Sequence, residues 1–167
     1  MEIRVETPQR SGEGAPRGGL RLRVPPPAYA VLLALLAWGA QAAFDCPTLV
    51  GYPWRLVAAL PGAAGAALVF WSFSRFRGRR TTVHPFGRPS ALVVDGPYRV
   101  TRNPMYVSLT AALLGLALFI GTLPFFLVPL AFFLIMNTVQ IPHEERLLAG
   151  LFGDEWEAYR RRVRRWL

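Results

Sequence analysis

Lysine is missing from this 167-residue chain, and histidine and cysteine are nearly missing. All 19 basic residues are arginine, so there is no lysine for a P-loop, a Schiff base or a pyridoxal cofactor. Cys46 is the single cysteine, which excludes an intramolecular disulfide and a thiolate metal cluster. His84 and His143 are the two histidines, too few for a multi-histidine metal site. The sequence therefore predicts no metal cofactor.

Charge is absent from the interior of four long apolar stretches. They lie at about 28–44, 56–73, 105–121 and 123–141, and the whole chain is 53% hydrophobic. Each stretch is long enough to cross a hydrocarbon core about 30 Å thick. A charge inside such a stretch would cost several kcal/mol, so its absence is informative. The sequence predicts an all-α integral membrane protein with about four transmembrane helices.

The arginines are distributed unevenly about these stretches. Five precede the first stretch, seven lie between Arg75 and Arg102, and six lie between Arg146 and Arg165. The other two connections contain Arg55 alone. Because arginine-rich loops stay in the cytoplasm, we predict a multi-pass protein of the inner (cytoplasmic) membrane with both termini cytoplasmic. Topology then accounts for the net charge of +9, and no nucleic-acid partner is needed.

Three regions follow from this pattern. Residues 1–26 are predicted to be a disordered cytoplasmic tail, since they contain few large apolar side chains. Residues 27–74 would form two transmembrane helices, the second with a small face at Gly62 and Gly65 for close packing. Residues 75–167 would contain a transmembrane hairpin and then interfacial helices.

The hairpin and the last helix have their own signals. Only Gly121-Thr122-Leu123-Pro124 separates the third and fourth stretches, which predicts a tight turn. Gly153 is predicted to end a helix that begins near His143. Trp156, Tyr159, Val163 and Trp166 recur at spacings of three and four, which predicts a C-terminal amphipathic cytoplasmic helix on the membrane surface.

Two polar segments are candidates for chemistry. Asn103-Pro104 should start the third helix, whose free N–H groups beside Arg102 suit a carboxylate or a phosphate. His143-Glu144-Glu145-Arg146 follows the fourth stretch. The hairpin returns both segments to one side of the membrane, so we predict that an arginine-bearing and a glutamate-bearing cluster meet there.

These segments resemble a known family. The ordered set is Gly-Pro-Tyr-x-x-x-Arg-Asn-Pro-x-Tyr (96–106), Glu-Glu-Arg-Leu-Leu (144–148) and Phe-Gly-x-x-Trp-x-x-Tyr-x-x-x-Val (152–163). It is similar to the isoprenylcysteine carboxyl methyltransferases and their phospholipid methyltransferase relatives, over about 81–167. The resemblance implies a membrane methyltransferase that uses S-adenosyl-L-methionine, bound in a pocket of region 75–167 that opens to the cytoplasm.

The resemblance also implies site residues. The implied cofactor contacts are Ser90, Ala91, Leu92, Val93, Tyr98, Asn103, Pro104, Met105, Tyr106 and Glu144. We expect Arg102 and Glu144 to act directly on the cofactor, Arg102 on its carboxylate and Glu144 on its ammonium or sulfonium. Gln140 occupies a position that can carry a substrate-contacting arginine in the prenylcysteine enzymes, so it is the candidate substrate-binding residue. The prenylcysteine substrate is not carried over, and a lipid-like or small hydrophobic acceptor is expected instead.

Two other functions fit part of the pattern. Sterol and steroid reductases have a similar Arg-x-Pro-x-Tyr hairpin and use NADPH, although they usually have more spans. The remaining alternative is a membrane scaffold without enzymatic activity. Binding of S-adenosylhomocysteine or of NADPH would distinguish the three.

Overall fold

The computed structural model describes residues 24–78 and 92–167. In these residues the α-helices are α1 (Pro26–Ala43), α2 (Ala59–Gly78), α3 (Pro104–Ile120), α4 (Leu123–Ile135) and α5 (Ile141–Arg162). Short 3-10 helices cover Trp54–Ala58 and Gly96–Arg99, and a π-helical turn, Met136–Gln140, joins α4 to α5. The rest of the described chain has isolated bridges and no strand. The predicted all-helical class is confirmed.

Three helical segments in the described residues are long and apolar enough to cross a membrane. They are Pro26–Ala43, Trp54–Ser72 and the continuous helix that starts at Leu123. The fourth apolar helix, α3, has 17 residues. Each helix begins or ends within a few residues of its predicted bounds. The molecule is a membrane protein, and the count of four spans remains a prediction.

The helices lie side by side in the order α1, α4, α3, α2. Helix α4 contacts both α1 and α3, and α3 packs against α2 along its length. Phe132 and Met136 of the α4 side and Ala117 of α3 have no exposed surface, and Ala30 of α1 belongs to the same buried cluster. The outer faces of α1 and α2 expose large apolar side chains such as Leu35. This is the pattern expected when the solvent is lipid.

Helices α2 and α3 approach closely through small residues. A Cβ atom at Gly65 would lie 2.6 Å from the Ser108 carbonyl oxygen, and one at Gly115 would lie 3.1 Å from the Ala58 carbonyl oxygen and the Gly62 nitrogen. Ser108 is buried and donates its hydroxyl to the Met105 carbonyl within its own helix. The predicted small face of the second span is therefore confirmed.

The turn between α3 and α4 contains two residues. Gly121 ends α3 with a φ of 77°, a left-handed conformation that favours glycine, and Thr122 precedes α4. The Gly121 carbonyl accepts N–H groups from Leu49 and Val50 of the α1–α2 connection at 2.6 and 3.1 Å. The tight hairpin is confirmed. Its turn lies at the same end of the molecule as residues 44–53, opposite α5.

The helix after the hairpin differs from the prediction only in its last part. Gly153, with a φ of 48°, is non-helical, so Ile141–Arg162 consists of two helices joined by a kink at the predicted helix end. The helix then stops at Arg162, and Val163 is extended. The predicted last helix is therefore wrong beyond Arg162, because Val163 and Trp166 do not continue its apolar face. Residues 1–23, most of the predicted tail, and the implied cofactor contacts Ser90 and Ala91 lie outside the described residues.

Candidate functional site

An extended segment, 163–166, binds the start of α3. The backbone N–H of Arg102 donates to the Arg164 carbonyl at 2.9 Å, and Thr101 bridges to Arg164 in parallel register. The Thr101 hydroxyl and the Asn103 side-chain amide both donate to the Arg165 carbonyl at 3.0 Å. These bonds satisfy backbone groups that a continued helix would have paired internally.

Arg102 is enclosed by this segment and α5. Its Nη2 donates to Glu145 Oε1 at 2.9 Å, and its Nη1 donates to the carbonyls of Arg160 and Val163. The guanidinium lies over the Trp156 ring, 5.9 Å from its centroid. The Arg102 side chain is only 10% exposed. Such a fixed guanidinium holds the start of α3, α5 and the 163–166 segment in one geometry.

Glu145 is the shared anion of two arginines. Besides Arg102, it accepts Nε and Nη2 of Arg165, and its side chain is 13% exposed. Burial alone would raise the pKa of Glu145, but hydrogen bonds from Arg165 and Arg102 and their positive charges hold it below its usual range. Glu145 is therefore ionised and fully engaged in structure.

Glu144 has a different environment. Its Oε1 accepts the Tyr106 hydroxyl at 2.6 Å and the Gln140 side-chain amide at 2.8 Å. Among the described residues, no arginine forms a salt bridge with it. Burial raises the pKa of Glu144, and the two hydrogen bonds oppose that rise only in part. When it is ionised, a carboxylate held only by neutral donors can offer its negative charge to a ligand.

Tyr98 and an apolar cluster stand beside Glu144. Tyr98 is buried, and its pKa is raised by burial and then by the neighbouring Tyr159 and Glu144. The Tyr159 hydroxyl donates to the Tyr98 carbonyl at 2.7 Å, which ties α5 to the 96–99 turn. Leu92 packs with Trp156 and Tyr159 in a buried cluster, and Val93 next to it is also buried. A phenol and an apolar wall therefore accompany the carboxylate.

Four of the predicted site residues come together, and the arginine-bearing segment meets the glutamate-bearing one as predicted. Tyr98, Tyr106, Gln140 and Glu144 form one cluster, which is the arrangement the hairpin predicts. Arg102, however, pairs with Glu145 and not with Glu144. The α3 N-terminus also offers less than predicted, because the Asn103 N–H is bound by the Thr101 hydroxyl and Pro104 has no N–H.

The structure adds residues that the sequence did not suggest. Asn137 accepts the Trp166 indole N–H at 3.0 Å and Arg165 Nη1 at 3.4 Å, and the Trp166 ring stacks on Phe133. The polar residues Asn137 and Thr138 within a mostly apolar stretch were the available signal. A cavity of about 510 Å³ lies on the Glu145 side of α5. None of the implied cofactor contacts lines it.

Comparison with known proteins agrees with this arrangement. The family model for phospholipid methyltransferases matches residues 54–155, more than half of the chain. An uncharacterized protein of Haemophilus influenzae is 43% identical over 63 residues, which cover 38% of this chain and all of that protein. The protein-S-isoprenylcysteine O-methyltransferase of Schizosaccharomyces pombe is 41% identical over 76 residues, which cover 43% of this chain and 30% of that enzyme. No solved structure matches the chain.

The apolar helices make the molecule a membrane protein, and a polar cluster lies at one end of its hairpin. The chain belongs to the phospholipid methyltransferase family. The matched region begins at residue 54 and so includes α2, which the resemblance at 81–167 did not cover.

Proposed function

We propose that this protein transfers a methyl group from S-adenosyl-L-methionine to a lipid-like acceptor. The observation that carries the proposal is the environment of Glu144. Its carboxylate is partly buried between Tyr106 and Gln140, two neutral donors, at the end of the hairpin where the family motifs meet. A site for a cationic ligand needs a negative charge that no fixed cation already neutralises.

The residues present fit this cofactor. Glu144 would hold its ammonium or its sulfonium, and buried Leu92 and Val93 offer an apolar wall for its adenine. Tyr98 and Tyr106 would lie on either side of the charged group. When bound, S-adenosyl-L-methionine supplies a methyl group activated by a cationic sulfur. Ser90, Ala91, Asn103, Pro104 and Met105 remain proposed contacts on the family resemblance.

Arg102 needs a more specific role than the sequence suggested. Both of its Nη atoms are occupied by Glu145 and by backbone carbonyls. Its Nε is buried without a hydrogen-bond partner among the described residues, so a bidentate pairing with a cofactor carboxylate would require Arg102 to leave some of its present partners. We therefore propose that Arg102 acts mainly by holding α5 and the 163–166 segment against α3, which keeps Glu144 in place.

Methyl transfer requires few specialised side chains from the protein. The reaction is an in-line displacement, so alignment and dry surroundings matter more than strong acids or bases. Buried Tyr98, Tyr159 and Trp156 would exclude water, and two hydrogen bonds hold the Glu144 carboxylate in place. The small number of histidines and the absence of lysine are compatible with this chemistry.

The family and the apolar outer surface of the helices both support a lipid-like acceptor. The outer faces of α1 and α2 are apolar, and α4 joins α5 at the boundary between apolar and polar sequence. Gln140 lies at that boundary and would present its remaining amide oxygen to the acceptor. With both termini in the cytoplasm, the acceptor would arrive from the inner membrane and the cofactor from the cytosol.

Calorimetric titration tests the cofactor. S-adenosylhomocysteine should bind the detergent-solubilised protein, and NADPH should not. Incubation of membranes with methyl-labelled S-adenosyl-L-methionine should then place label in the lipid fraction, and the Glu144→Gln variant should not do so. Binding of NADPH without S-adenosylhomocysteine would favour a reductase, and binding of neither would contradict an enzyme of either kind.

A further inference from the structure

The π-helical turn at Met136–Gln140 sets the direction in which Glu144 points. A π turn inserts one residue into an α-helix, and one residue corresponds to about 100° of rotation around the axis. Everything after the turn is rotated by that amount relative to α4. Glu144 follows the turn by four residues and meets Tyr106 of the neighbouring helix at 2.6 Å. Without the turn, its carboxylate would be directed away from Tyr106.

Two features of the chain stabilise the turn. Pro142 has no N–H, so it cannot donate to the Thr138 carbonyl, and an ordinary α-helix would lose a bond at this point. The second feature is the 163–166 segment. Trp166 donates its indole N–H to Asn137 at 3.0 Å and stacks on Phe133, with ring centroids 4.6 Å apart.

Arg165 spans the turn. Its Nη1 reaches Asn137 within the turn at 3.4 Å, and its Nε and Nη2 bind Glu145 just after it. Arg165 therefore fixes the distance between Asn137 in the turn and Glu145 after it. The Arg165 carbonyl in turn accepts hydrogen bonds from Thr101 and Asn103, so the whole connection is anchored to the start of α3.

We propose that Asn137 is a positioning residue of the site: held by Trp166 and Arg165, it maintains the π turn that directs Glu144 to Tyr106. Asn137 itself touches neither Glu144 nor Tyr106 in the hydrogen-bond network of the described residues. Its effect on ligand binding rests on the proposed function. Its effect on the orientation of Glu144 does not.

Three variants separate positioning from general packing. Asn137→Leu keeps the side-chain size and removes the acceptor, whereas Asn137→Asp keeps an acceptor oxygen. Trp166→Phe keeps an aromatic ring for Phe133 and removes the indole donor. Trp54→Phe is the matched control, because Trp54 is 71% exposed at the opposite end of the molecule.

Infrared spectroscopy reports whether the Glu144 carboxyl group keeps its hydrogen bond to Tyr106. Acid-induced difference spectra contain the carbonyl band of protonated Glu144, which is identified by its loss in Glu144→Gln. That band should move in Asn137→Leu and Trp166→Phe, because the Tyr106 hydrogen bond is lost. It should stay in place in Asn137→Asp and Trp54→Phe. S-adenosylhomocysteine affinity should fall roughly tenfold or more in the first pair, as for misplaced contact groups, and stay within about twofold in the second.

An unchanged Glu144 band in both Asn137→Leu and Trp166→Phe would overturn the inference, even if both variants melt at lower temperature. If Asn137→Leu fails to fold, Trp166→Phe alone decides. If the band shifts in these variants but the wild type binds no S-adenosylhomocysteine, the positioning role stands and the proposed function fails.

Discussion

Tyr106 donates its hydroxyl to Glu144 across the boundary between α3 and α5, with 2.6 Å between the two oxygens. The next residue, Glu145, is bound by Arg102 and Arg165. Two adjacent carboxylates thus have opposite surroundings, one with neutral donors and one with two cations. This difference gives them separate roles, and each role can be tested by removing a single charge.

Glu144→Gln should weaken ligand binding without harming the fold. Loss of a charge-assisted contact should reduce S-adenosylhomocysteine affinity by about 1.5–3 kcal/mol, roughly ten- to a hundredfold. Because burial raises the pKa of Glu144, its ionised form opposes folding near neutral pH, so the ligand-free variant should melt no lower than the wild type. Calorimetry and thermal melting measure the two effects.

Glu145→Gln is the matched control. Unlike Glu144→Gln, it should lower the stability of the fold. It leaves Arg102, whose side chain is 10% exposed, without its anion, and should lower the free energy of unfolding by about 1–3 kcal/mol. The low pKa of Glu145 means that its contribution is present above the unfolded value near 4.3 and is lost as the pH falls below it. The variant should therefore lose acid dependence in that range. Equal melting of both variants at neutral pH would contradict the division of roles.

Tyr106→Phe should shift the pH dependence of binding. Binding to an ionised Glu144 is present above the pKa of that carboxyl and is lost as the pH falls through it. The Tyr106 hydroxyl lowers this pKa, so its removal should move the loss of binding to higher pH. Titrations with S-adenosylhomocysteine between about pH 5 and 8 would show the displacement, a range set by a carboxyl pKa raised above about 4.3. A profile that coincides with that of the wild type would exclude Glu144 as the titrating group.

Gly65→Ala should destabilise the contact between α2 and α3. The added Cβ would lie 2.6 Å from a backbone carbonyl, so the helices must separate, at a cost of about 1–3 kcal/mol. Gly62→Ala is the control, since nothing lies within 4 Å of its added Cβ. Melting of both variants in the same detergent should show a loss for the first and little change for the second. Because alanine favours a helix more than glycine does, similar losses in both would show that the close approach at Gly65 does not determine the result.

Cys46 should report the orientation of the chain. It is a free, partly buried thiol in the connection at the same end as the Gly121 turn. If both termini are cytoplasmic, this end faces outward, and an impermeant maleimide should label Cys46 in cells with an intact inner membrane. A cysteine introduced at exposed Arg164, at the α5 end, should react only after permeabilisation. The opposite pattern would invert the topology.

The helices were predictable because their signals are local. Pro26 and Pro104 lie in the first turns of α1 and α3, and Gly121 ends α3 in a left-handed conformation. The residues within these two helices carry no charge. The hairpin followed from the two residues between α3 and α4. From this hairpin one could predict that Arg102, Glu144 and their neighbours lie at one end of the molecule.

The choice between Glu144 and Glu145 could not be predicted in the same way. Adjacent residues on a helix differ by about 100° in direction, so the inserted residue of the π turn decides which of them faces Arg102. The segment 163–166 was missed for a related reason. Its spacing fits a helix, but the polar groups of Thr101 and Asn103 compete for its backbone, and these contacts span more than 60 residues of sequence.

The attachment of residues 163–166 to the start of α3 also has a consequence for biosynthesis. Arg102 and Glu145 are made well before Arg165, so the growing chain contains both without their final partner. The spans can enter the membrane in that state, but the contacts at the start of α3 are complete only once residues 163–166 have been made. The site should therefore assemble after all the spans have been synthesised, and not span by span.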